Sequence, residues 1–102
     1  MIEFSEVSPV LIGGLAALWK HIEYPEADRL AGTEGTVVLR FVVGLDGWAC
    51  DPAVARGVSS GLDAAAMEAI QRVQFTPGRQ NGQPVAVRMS VPVRFVAGRS
   101  GK

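Results

Sequence analysis

From Val85 to Ala97 the chain reads VAVRMSVPVRFVA, with Val85, Val87, Met89, Val91, Val93 and Phe95 apolar at every second position. Between them lie Ala86, Arg88, Ser90, Pro92 and Arg94. Alternation of this kind over about a dozen residues predicts a strand with one face on a core and one face in water. Pro92 has no N–H to give to a ladder, which predicts an edge strand. A long edge strand is a row of unpaired backbone donors and acceptors, and it invites pairing with another chain.

The rest of the sequence must supply the sheet to which that strand belongs. Gly35–Val43, GTVVLRFVV, is rich in β-branched and aromatic residues. Val37, Leu39, Phe41 and Val43 make one face. The other face, with Thr36, Val38, Arg40 and Val42, is only partly polar, so this strand is expected in the centre. Asp46-Gly47 predicts a hairpin turn. The following strand, Trp48 to about Arg56, contains Asp51-Pro52, which predicts a second edge with an irregularity.

Three helices are expected around these strands. Leu15, Leu18, Trp19 and Ile22 follow helical spacing over about Gly14–Ile22. Tyr24-Pro25 ends that segment and starts a short second helix, Pro25–Ala31, stopped by Gly32. The third begins at Ser59-Ser60-Gly61-Leu62-Asp63. Ser60 is expected to cap the N–H of Asp63, with Asp63 reaching back. Leu62, Ala66, Ala69, Ile70 and Val73 form its apolar stripe. Asn81-Gly82 predicts a tight turn before the last strand.

The expected fold is therefore α+β: a three-stranded antiparallel sheet of order 2-1-3 with two to three helices on one face. Residues 1–10 read as an arm, 11–97 as the domain and 98–102 as a polar tail.

Composition excludes several functions. The 102 residues suffice for one domain, and ten Lys/Arg balance ten Asp/Glu. A net charge of zero carries no nucleic-acid footprint. Arg88 and Arg94 alone read as ordinary solubility. Cys50 is the single cysteine and has no disulfide or metal partner. His21, also single, stands apart from any cysteine and reads as structural or exposed. No carboxylate pair is placed by an evident motif, and neither glycine cluster follows a phosphate-loop pattern. The sequence predicts no enzyme, no cofactor and no metal. The apolar run Val10–Trp19 is too short to cross a membrane and lacks the basic start and cleavage site of a signal peptide.

The order of motifs resembles the C-terminal domain of TonB-type energy transducers. The resemblance runs from about Gly13 to Phe95. It is carried by Tyr24-Pro25 with Ala27, Glu34-Gly35 before Val37-Val38, and Phe41-Val42 before Asp46-Gly47. It continues through Ser59-Ser60-Gly61 with Leu62-Asp63, Phe75 with Pro77-Gly78, Asn81-Gly82 with Pro84-Val85, and Pro92-Val93-Arg94-Phe95. Cys50-Asp51-Pro52 departs from the smoother strand usual there.

The resemblance implies a periplasmic domain of an inner-membrane-anchored protein. It implies a partner, the TonB box, an extended segment of an outer-membrane receptor that adds as a strand beside the last strand. It further implies proton-driven motor proteins engaged through an N-terminal part not present in these residues, and uptake of siderophore- or cobalamin-type cargo. The expected binding edge is Ala86, Val87, Arg88, Met89, Ser90, Val91, Pro92, Val93 and Arg94. Odd residues are expected to bond the central strand and even residues to offer the free edge. The alternatives are a TolA-like or other periplasmic adaptor, a sensor or peptidase fusion that borrows the domain, and a self-pairing dimerisation domain.

Overall fold

Strand β2, Gly35–Val43, is the axis of the computed structural model, which describes residues 5–96. Val37, Leu39, Phe41 and Val43 are all buried, as the alternation requires. On one side β2 pairs antiparallel with β3, Ala49–Arg56; on the other it pairs antiparallel with β7, Val87–Phe95. The sheet order β3-β2-β7 is the expected 2-1-3 arrangement.

The two flanks of β2 differ. The β2–β7 ladder runs from Gly35 opposite Phe95 to Val43 opposite Val87 with no shift of register. The β2–β3 ladder slips twice, between Val38 and Leu39 and between Arg40 and Val42. At the second slip Asp51 has φ of 50°, a left-handed conformation that pushes it out of the pairing. The expected irregularity at Asp51-Pro52 is thus a bulge.

Helix α3, Ser60–Ile70, covers the buried face of this sheet with Leu62, Ala66, Ala69 and Ile70. Its N-cap lies one residue earlier than expected. Ser59, not Ser60, has extended backbone, and its Oγ accepts from Leu62 N–H at 3.1 Å. Asp63 Oδ1 reaches back to Val58 N–H at 2.9 Å, so the reciprocal cap exists in shifted form.

Helix α1, Gly14–Trp19, is shorter than expected and buries only Leu18. Leu15, placed on the apolar face by spacing, is 59% exposed. Six residues are under two turns, too few to enforce a full apolar stripe. Helix α2, Glu26–Ala31, buries no residue and is capped by Gly32 at φ of 73°. It rests on the start of α3, where Asp28 Oδ1 accepts from Ser59 Oγ at 3.0 Å.

Four very short strands escape the sequence pattern. β1, Val10–Leu11, pairs with β4, Phe75–Thr76. β5, Gly78–Gln80, pairs with β6, Gln83–Val85, across the Asn81-Gly82 turn. The expected arm is in part paired: Val7 exchanges backbone hydrogen bonds with Arg79 at 3.1 and 2.9 Å. Residues 1–4, the 98–102 tail and Ala97 lie outside the described residues.

The core gathers Leu18, the β2 row, the α3 stripe, Val73, Phe75, Val93 and Phe95. Phe95 is the aromatic hub at the far end of β7. Trp19 and Tyr24 meet it edge-on, with ring centroids 5.8 and 5.5 Å away.

Candidate functional site

The outer edge of β7 is the feature with most capacity for chemistry, and that chemistry is backbone pairing. Among the described residues β7 has one strand neighbour, β2. The direction of its remaining backbone groups follows from the β2–β3 turn. Gly44 N–H donates to Trp48 O at 3.0 Å, so the even residues of β2 turn their backbone toward β3 there. Alternation then turns the odd residues of β2 toward β7, where Leu39 faces Val91 and Val37 faces Val93. Pro92, opposite Val38, falls in a non-hydrogen-bonded pair. Its missing N–H costs the β2 ladder nothing, and the gap it leaves faces outward.

The expected edge residues are placed as follows. Val87 and Val93 are buried, and Met89 and Val91 are half-buried against the core. Arg88, Ser90, Pro92 and Arg94 are exposed. Ala86 stands apart: it breaks the chain between β6 and β7, and the alternating run therefore serves two sheets. Val85 belongs to the β5–β6 hairpin and pairs with Gly78. A continuous apolar alternation carries no mark of such a break.

Two arginines that the sequence did not single out lie on the same sheet face. Arg40 sits opposite Ser90, and Arg56 opposite Val38. The two slips in β3 cancel in parity, so Arg56 shares the face of Cys50, and they shift its partner on β2 from Thr36 to Val38.

Other candidate groups are dispersed. His21 is exposed and lines an open cleft of about 780 Å³ with Lys20, Tyr24, Glu68 and Arg72. Cys50 is exposed, its Sγ 3.7 Å from Trp48 O. Among the described residues no group of three His, Cys, Asp or Glu is placed to hold a metal. No helix among them is long and apolar enough to cross a membrane. Tyr24 donates to Thr33 O, and its phenol titrates above its ordinary value of 10.0. Desolvation by burial is the main cause, with the charges of Glu34 and Asp28 adding to it.

Comparison with known proteins agrees with this architecture. Residues 20–97 match the family described as Gram-negative bacterial TonB protein C-terminal. The chain is similar to the TonB protein of Vibrio cholerae, 31% identical over 90 residues, covering 85% of this chain and 37% of that protein. It is 36% identical over 74 residues to the TonB protein of Xanthomonas campestris pv. campestris, covering 72% and 33%. The chain thus spans about a third of the length of these relatives. The solution structure of the Helicobacter pylori TonB C-terminal domain shares the fold at a TM-score of 0.65 and 23% identity, covering 83% of this chain and 90% of that one. That of Pseudomonas aeruginosa TonB aligns at 0.60 and 28% identity, covering 72% and 76%.

Proposed function

The chain belongs to the Gram-negative bacterial TonB protein C-terminal family, a family of non-enzymatic transducers, and we propose that it is the receptor-gripping domain of such a transducer. In this reading residues 11–97 work in the periplasm on an inner-membrane-anchored protein. The domain takes an extended segment of an outer-membrane receptor as a fourth strand on β7. Force from a proton-driven motor then passes through that strand to the receptor, for uptake of siderophore- or cobalamin-type cargo.

One observation carries the proposal. β7 is long, keeps register along its whole length with β2, and has no second strand neighbour among the described residues. Backbone bonds on its outer edge would supply affinity, and the flanking side chains selectivity. The expected edge from Ala86 to Arg94 narrows accordingly. Its strand part is Val87–Arg94, and its outward backbone groups are those of Arg88, Ser90 and Arg94, with Pro92 contributing a carbonyl only.

A titration of the isotopically labelled chain with a receptor-box peptide tests this. Shifts concentrated at the amides of Arg88, Ser90 and Arg94 are expected. Shifts confined to α1, α2 or the 780 Å³ cleft would sink the proposal. Light scattering over a concentration series, without peptide, separates this outcome from pairing of two copies through the same edge.

A further inference from the structure

The unburied face of the sheet is cationic, although the whole chain has a net charge of zero. The ladder pairs place Thr36, Val38, Arg40 and Val42 of β2 on this face. With them lie Arg88, Ser90, Pro92 and Arg94 of β7 and Cys50, Ala53 and Arg56 of β3. Four of these are arginines, all exposed, and none is Asp or Glu. Asp51 is pushed out of the β3 pairing, and Glu34 stands just before β2 in sequence. The helices on the other side carry acids and their own counter-ions, as in Arg72–Glu68 at 2.8 Å and Arg29–Glu26 at 3.7 Å.

This asymmetry bears on what β7 can accept. We propose that the open sheet face selects an acidic strand, one with carboxylates at the alternate positions that lie beside Arg94 and Arg40 and apolar residues at the others. The inference rests on strand addition at β7 and adds the chemistry of the partner.

An added strand would stand about 4.8 Å from β7. Its outward side chains would lie directly across from Arg88, Ser90, Pro92 and Arg94. Opposite charges in such cross-strand positions attract, and like charges repel. Arg94 would face one outward residue of the newcomer. Ser90 would face another, and Arg40 stands directly behind Ser90 on β2. Serine is small, so the long arginine stem has a path across β7 to that second position. The other face of the newcomer would continue the row of Val87, Met89, Val91 and Val93, which calls for apolar residues. A cationic strand would meet repulsion from the whole face, which adds negative selection to the attraction.

The test uses two synthetic peptides of equal length with the same apolar residues at one parity. One carries Glu at the other parity and the second carries Gln. At low salt the Glu peptide is expected to bind on the order of ten-fold tighter, as two or three favourable cross-strand charge pairs allow. The preference is expected to shrink several-fold in about 0.5 M salt as the exposed charges are screened. In the double variant Arg40→Gln, Arg94→Gln the Glu-to-Gln affinity ratio is expected to fall toward one. Thermal unfolding of the variant checks that the fold is intact.

Equal affinity of the two peptides, with Ser90 and Arg94 amides shifting for both, would overturn the acidic selection and leave strand addition standing. A preference unchanged in the double variant would overturn the assignment to these arginines. Failure of both peptides to move the β7 amides would overturn strand addition itself, and this inference with it.

Discussion

Gly47 accepts a hydrogen bond from Phe75 N–H at 2.8 Å, and a Cβ on Gly47 would stand 2.1 Å from Phe75 O. The β2–β3 turn is therefore pressed against β4, backbone to backbone, and only glycine fits between them. Gly47 also has φ of 87°, which disfavours any side chain. Gly47→Ala is expected to destabilise the fold by about 3 kcal/mol, combining left-handed strain with forced separation of two backbones. Urea unfolding followed by tryptophan fluorescence measures this. A change under about 0.5 kcal/mol, the range typical of unconstrained surface sites, would show that the turn does not need the contact.

The cap of α3 distinguishes two adjacent serines. Ser59 accepts from Leu62 N–H and donates to Asp28, whereas Ser60 is already inside the helix. Ser59→Ala is expected to cost about 1 kcal/mol. Ser60→Ala, which improves helix propensity, is expected to be neutral or slightly stabilising. Equal losses at the two positions would contradict the cap assignment.

Phe95 joins the end of β7 to the helical layer through its ring contacts with Trp19 and Tyr24. Phe95→Ala is expected to cost about 3–5 kcal/mol, the range for deleting a buried aromatic. Trp19, 41% exposed, is expected to shift its emission to the red as the ring opposite it is lost. A large loss of stability with no spectral change would place the damage elsewhere.

Tyr24 is expected to make stability fall at alkaline pH. Its phenol titrates above the ordinary 10.0 in the folded chain, so folding favours the protonated form. That contribution is complete below pH 10 and is lost as pH rises through the folded-state value. Phenolate absorbance is expected to develop later in the folded chain than in urea. Tyr24→Phe is expected to flatten the decline of unfolding free energy above pH 10. An unaltered decline in that variant would assign it to other groups.

The long elements were legible in the sequence because each carried its own period. β2 and β7 alternated, α3 kept its apolar stripe, and Asp46-Gly47 marked the hairpin between β2 and β3. What escaped was short or non-local. β1 and β4 are two residues each, and Val10 finds Thr76 only after the chain has folded. The α3 cap was expected at Ser60, and the extended backbone lies at Ser59 instead. The break at Ala86 left no trace in the alternation. Of the candidate site, the edge and the position of Pro92 were readable. The meeting of Arg40 with Arg88 and Arg94 follows from the unshifted pairing of β2 with β7, and the bulges in β3 set only which β2 residue Arg56 faces, which no local pattern encodes.

Those bulges make the two borders of the sheet unlike. A twice-interrupted strand offers no straight run of donors and acceptors, while β7 on the opposite side does. With one straight border, β7, the sheet presents a single native side on which a strand could be added in register.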